Sequence, residues 1–519
     1  MKQFPVFFVL AVAFWAPRMG AQTAAVITDR AAARFLDQAA WGPAPTSIVQ
    51  LQQAGFANWL TAQFALNTSD LPDQPLLASD GKTNRDLAPV QAAFFQNTVT
   101  GQDQLRQRVA FALSQMLVVS AVSTKDAYAF PPYWRLFRDN AFGNYRDIVK
   151  AITLSPAMGN YLNMANNNKG NTAKGTAANE NYARELMQLF TVGLTQLNPD
   201  GSAVVDSNNN PVPTYTQAIV TSTARALTGW TYPTAPGATA KANNPAYYIG
   251  QMFAVDTEHD TTSKSIIGGV TLPAGQTAEQ DLDSVLDALM AQKTMAPFVG
   301  KQLIQHLVTS DPSAAYIKRV STVFLDNGLG VRGDMKAVLT AILTDAEARS
   351  ADSPSAAVNP NFGHMREPVL FMANLLRGLN ATLGASSAIY NDATNLGEDL
   401  FYPETVFSYF SPLYTLENGQ PGPELQIYST QTAANRADTV NTVLYGALDK
   451  STTVNLTPFL QSDIGSMVDY VSYVFLHHAM SSELQAAAIG AATAATGTKA
   501  QAQAALYVVL TSSEYQIVQ

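Results

Sequence analysis

Asn179-Glu180-Asn181-Tyr182-Ala183-Arg184-Glu185-Leu186-Met187-Gln188-Leu189-Phe190-Thr191-Val192-Gly193 is the stretch on which the reading of the fold turns. Tyr182, Leu186, Leu189 and Phe190 share one face at helical spacing, so the segment reads as an amphipathic helix anchored in a core. Asn179 can accept a backbone N–H at the start. Glu180 lies in the first turn, where the helix dipole favours an anion, and Gly193 supplies a stop. Glu180 and Arg184 are four residues apart and meet on the flank of the apolar face. The helix therefore carries two acids and a base to the edge of a core.

The same helical grammar continues on both sides. Apolar spacing and Gly, Pro or Asp punctuation predict helices over 31–40, 48–53, 56–64, 105–119, 133–140, 145–154, 216–228, 278–291, 296–308, 313–325, 334–343 and 368–379, with further helices to the end. A loop with four Asn and two Gly between Asn166 and Gly175 is too polar for a core and delivers the chain to the central helix. An irregular section, 231–273, holds short β-prone pieces such as 265–272, and an aromatic, proline-rich loop spans 401–423. The expectation is an all-α fold: one large multi-helical body over 22–519, with irregular loops, at most a few short strands, and a possible sub-boundary near 350–365.

Composition narrows the function classes. Cysteine is absent from the 519 residues, which excludes disulfides, thiolate metal sites and c-type haem attachment. Lys2, the apolar run from Phe4 to Trp15 and the small pair Gly20-Ala21 read as a signal peptide over 1–21, so the protein is expected to be exported to the periplasm or the medium. Removing that segment takes the formal charge from −9 to about −11. No basic stripe exists to neutralise phosphates, so nucleic acid is not an expected partner. No later apolar run is long enough for a transmembrane segment in the mature chain.

Several blocks, in this order, resemble the bacterial domain of unknown function 1800 family. They are Leu105-Arg106-Gln107-Arg108-Val109-Ala110-Phe111, Gly143-Asn144-Tyr145-Arg146-Asp147, the central run, Ala224 to Trp230, His259-Asp260 with Lys264 and Gly268, Met365-Arg366-Glu367-Pro368, and Pro403 to Pro412 with Pro423-Glu424-Leu425-Gln426. The resemblance implies an exported, mainly helical protein, often encoded beside a secreted member of the domain of unknown function 1501 family, a possible partner. It implies no reaction and leaves the cofactors unknown. Where many members read Trp-His-Asn-His-Phe, this chain has Leu113-Ser114-Gln115-Met116-Leu117, so a metal role built on that histidine pair does not carry over.

For chemistry, the expected polar cleft gathers Glu180, Glu185, His259 and Asp260 as acid and base groups, with Arg184, Arg225, Trp230 and Lys264 to bind substrate. An arginine would hold one carboxylate ionised while burial raises another, and Trp230 would stack on a sugar ring. The competing expectation is an ion-pair network that only locks the central helix in place. His259 with Asp260 falls short of a metal site, and no metal is assigned. His477-His478, being adjacent, point apart on a helix. Phe407, Tyr409, Phe410 and Tyr414 could line a carbohydrate groove or plug the body. No Gly-x-Ser-x-Gly elbow, Walker loop or His-Glu-x-x-His helix appears. Two functions follow as expectations: acid/base hydrolysis or binding of an extracellular polymer such as a glycan, or a non-catalytic envelope scaffold for a co-secreted partner.

Overall fold

The computed structural model describes residues 26–353, 361–384, 388–446 and 448–518. The segment read as a signal peptide lies outside these residues, as does part of the stretch near 350–365. Among the described residues there are 21 α-helices and four two-stranded antiparallel sheets, each strand only two residues long. No helix is long and apolar enough to cross a membrane.

Three helices form the middle. In Asp29–Ala39, Gln104–Met116 and Pro368–Gly378 almost every residue is buried, the condition of a helix packed on all sides. Such burial traps charge, and the trapped charges join the helices. Asp37 Oδ2 lies 2.6 Å from Arg366 Nη2 and 2.6 Å from His477 Nε2, while Asn374 Nδ2 donates to Asp37 Oδ1 at 2.9 Å. The first helix is thereby tied to the lead-in of Pro368–Gly378 and to the end of Ile464–Leu476. The chain's tail enters the same knot, because Ile517–Val518 pairs with His364–Met365. Gly363, at φ +108°, permits this, since a Cβ there would run into the Val518 carbonyl.

The central helix is shorter than its sequence promised: Asn181–Gln188 rather than 179–193. Asn179 Oδ1 accepts the Asn181 N–H at 2.9 Å at the start. At the other end the Thr191 hydroxyl donates to the Leu186 carbonyl at 2.6 Å, and the N–H groups of Val192 and Gly193 both donate back to the Met187 carbonyl. Leu189 and Phe190 thus fall in a turn. Phe190 still reaches the core, and Tyr145 Oη donates to its carbonyl at 2.8 Å. The insert 231–273 carries two of the small sheets, Trp230–Thr231 with Phe253–Ala254 and Lys264–Ser265 with Thr271–Leu272.

Candidate functional site

The residues expected to form one cleft are divided by the fold among three settings. The first is an exposed row on the helix Gln217–Ala226, where Gln217, Thr221 and Arg225 are spaced by four and so share a face. Glu180 sits against the early part of this row, accepting from Gln217 Nε2 at 2.7 Å, Thr221 Oγ1 at 2.6 Å and Arg184 Nη2 at 3.0 Å. The Thr221 hydroxyl above all, with Gln217 and Arg184 added, lowers its pKa against a smaller opposing effect of burial. One turn on, Arg225 Nε lies 2.7 Å from Asp260 Oδ2 and its Nη2 donates to the Thr262 hydroxyl and the Ser263 carbonyl. Despite partial burial, Arg225 and Thr262 hold the Asp260 carboxyl far below its ordinary range.

The second setting is the interior. His259 and Lys264 are not at the wet edge: both side chains are shut off from solvent around a third residue, Asp281. Lys264 Nζ is 2.6 Å and His259 Nε2 is 3.1 Å from Asp281 Oδ2, while His259 Nδ1 faces the Thr228 carbonyl at 2.9 Å. Gly229, at φ +87°, lets the backbone pass this close, since a Cβ would fall 2.9 Å from the His259 nitrogen. Trp230 is 3% exposed and offers no ring face for a ligand to stack on.

Glu185 occupies a third, separate place. It is half-buried, burial raises its carboxyl pKa against the pull of Arg184, and its Oε2 has no partner among the described residues. The Tyr215 hydroxyl, also buried and without a partner, and Tyr161 feel its charge.

A cleft of about 390 Å³ opens elsewhere, between the turn after the central helix, the helix Met295–Leu307 and the loop before Pro423. Its walls are mostly apolar, from Leu189, Phe298, Val406, Phe407 and Phe410, with Leu194 and Leu413 strongly exposed at its mouth. Phe407 and Phe410 of the aromatic loop line it; Tyr409 and Tyr414 do not. Gln115, His306 and Glu424 supply polar groups to the lining.

Behind them lies a concentration of buried charge that the sequence reading did not assemble. Arg108, Glu367, Glu398 and Glu424 are all 3% exposed or less. Gln115 Nε2 donates to Glu367 Oε2 at 3.0 Å, the Val369 N–H to Glu398 Oε2 at 2.9 Å, and the Ser310 hydroxyl to Glu424 Oε2 at 3.0 Å. His364 Nδ1 is 3.5 Å from Glu424 Oε1, and Arg108 donates to the His306 carbonyl. Burial pushes Glu367 up to about 7, the Glu424 charge adding to it and Arg108 and the Gln115 bond opposing. Burial and the nearby Glu367 raise Glu398 further. Burial, with Arg108 and His364 beside it, takes the His306 imidazole down to about 3, so this histidine is neutral. Carboxyl groups whose environments separate their proton affinities are the raw material of acid and base work.

Three of the four charges, Arg108, Glu367 and Glu424, come from blocks quoted above, separated in sequence and joined only by folding. Ser114 and Met116 lie in the same region, Met116 on the cleft wall. Among the described residues no three His, Asp or Glu side chains are placed to hold a metal ion. A second cleft, about 410 Å³, is bordered by Tyr128, Arg135 and Tyr248, but Arg135 is committed to Asp70, Asp73 and the Leu71 carbonyl.

The fold and this site define a large helical protein with an apolar cleft backed by a buried carboxyl cluster. Residues 34–517 match the family described as protein of unknown function (DUF1800), and the chain belongs to it. No curated protein and no solved structure matches the chain.

Proposed function

We propose that this is an exported protein that binds an extended polypeptide segment of a co-exported partner in the cleft backed by Gln115, His306 and Glu424. The observation that carries the reading is the make-up of that cleft: aromatic and aliphatic walls with Leu194 and Leu413 exposed at the mouth, backed by a few fixed polar groups. Pockets of this volume with convergent polar groups are the usual form of a binding site. A glycan stacks the C–H face of a sugar ring on aromatic walls, but its hydroxyls leave the aliphatic ones, Leu189, Leu194, Val406 and Leu413, unmatched. A polypeptide offers apolar side chains for the walls and amides for the polar groups. A co-secreted member of the domain of unknown function 1501 family is the first partner to try.

The test is a photo-activated cross-linking residue in place of Leu413, with the same residue in place of Leu329, exposed but outside the cleft lining, as control. In the native host the Leu413 derivative should capture a polypeptide that the Leu329 derivative does not. Equal labelling from both positions, or capture of glycan alone, would overturn the reading. Acid/base hydrolysis of a polymer such as a glycan is the second reading, favoured by Glu185, whose carboxyl is raised by burial and has an unpartnered oxygen.

A further inference from the structure

Resting on the reading of this cleft as a ligand site, we propose that Gln115 sets its specificity by holding a carbonyl oxygen ready for a donor, so that the buried end of the ligand is a primary ammonium on an apolar stem, the chemistry of a lysine side chain. Gln115 is 6% exposed, at the cleft lining. Its amide is oriented by Glu367, which takes the hydrogen bond from Nε2 at 3.0 Å. Oε1 is thereby the polar atom left over, and it is buried without a partner among the described residues. A buried acceptor in that state gains from any ligand that brings a donor. Gln115 and Ser408 also divide the cleft from an inner hollow of about 30 Å³.

The neighbouring groups favour a cation over an anion at this end, the Arg108 charge behind the lining being countered by Glu367, Glu398 and Glu424. Glu424 lines the same cleft, and the 3.5 Å from its Oε1 to His364 Nδ1 leaves that oxygen room for a closer, charge-assisted bond. His306 is neutral and does not repel a cation. Lys301 opposes it, but from a flexible stem whose head can turn to solvent. The walls formed by Phe298, Phe407 and Phe410 fit the four carbons beneath such an ammonium.

Glu367 acts as a positioning residue. Ionised, it accepts from the Gln115 Nε2. Protonated, it donates to Oε1, and the amide turns to offer Nε2 to the ligand, exchanging an acceptor for a donor. The titration of Glu367 is shaped by the groups packed around it: Arg108 on the same helix as Gln115, Glu398, Glu424, Tyr409 of the aromatic loop, and His306 and His364 beyond them.

The probes are octylammonium, octanoate and octanol, measured by calorimetry with the full chain near pH 8.5 and near pH 6. At the higher pH octylammonium should bind about tenfold more tightly than either of the others, and at the lower pH the preference should shrink severalfold. Gln115→Met should keep octanol binding and reduce the ammonium preference to about twofold or less. Glu367→Gln, the second variant, should bind octanol normally and lose the change in preference with pH. Thermal melts of both variants show whether the fold is kept. Equal or tighter binding of octanoate, or an undiminished preference in folded Gln115→Met, overturns the assignment of Gln115. Octanol binding without ammonium preference sinks this inference alone, whereas no binding of any probe sinks the reading of the cleft as well.

Discussion

Lys264 Nζ lies 2.6 Å from Asp281 Oδ2 with neither side chain open to solvent. A pair in that position is held by mutual need, since each charge alone in the interior would cost several kcal/mol. Asp281→Asn leaves Lys264 without its counter-ion and leaves a single neutral amide oxygen to face both Lys264 and His259. Chemical unfolding should show a loss of about 3–5 kcal/mol. Glu180→Gln, acting on a partly exposed cluster, should cost less than about 1 kcal/mol. Comparable losses in the two variants would contradict this division between interior lock and surface row.

Asp37 is one of the carboxyls, with Asp260 and Asp449, whose lowered pKa protects the fold against acid. Its carboxyl is lowered from 3.8 to about 2, the charges of Arg366 and His477 outweighing full burial. Because the folded value is below the unfolded one, the unfolded chain takes up the proton first as pH falls. The contribution is complete above about pH 4 and is lost on the way down to about pH 2, amounting to about 2 kcal/mol. Denaturant titrations across that range should show the loss in the native protein, and Asp37→Asn should flatten that part of the curve while lowering stability at neutral pH.

How far the sequence reveals this molecule depends on whether the signal is local. Helices such as Tyr145–Thr153 follow from spacing and from a cap, Asn144, because both are written within a dozen residues. The central helix was overrun at its end because its stop lies in the Thr191 hydroxyl and the turn back to Met187, which apolar spacing does not encode. Glu180 with Arg184, four apart, was legible; Lys264 with Asp281 was not, since the spacing along the chain bears no relation to the 2.6 Å in space. Trp230 and His259 looked available because polar neighbours surround them in sequence, yet Gly229 draws them inward. Arg108, Glu367 and Glu424 stand in three separate stretches of the sequence, and only the packing of their elements makes them one cluster.

Glu185 decides between the two functional readings. Its carboxyl, raised by burial and holding an unpartnered oxygen, contributes little to stability as an anion. Glu185→Gln should therefore leave the melting temperature within a few degrees of the native protein. If polymer hydrolysis is the activity, the same change should abolish turnover of a glycan substrate. Turnover retained in the folded variant removes Glu185 as acid or base, and a collapse in stability would make it part of the architecture.

Glu367 should give the opposite pH response to Asp37. Its folded pKa is raised from 4.5 to about 7, so between these values the native state holds more protons than the unfolded one. Stability must then fall as pH rises through that window, by on the order of 3–4 kcal/mol if Glu367 titrated alone, and level off above it. Glu398, raised in the same sense, steepens the fall, while Arg108 limits it by favouring the ionised carboxyl. Glu367→Gln keeps the size and a hydrogen-bonding partner for Gln115 but removes the titrating proton, so its stability should fall less steeply across the window, the remaining slope coming from Glu398. Denaturant unfolding at a series of pH values distinguishes the outcomes. A native protein as stable near pH 8 as near pH 5, or a variant with an unchanged slope, would mean that the charge on Glu367 is already compensated by its neighbours, and the Gln115 amide would then have no titrating partner to turn it.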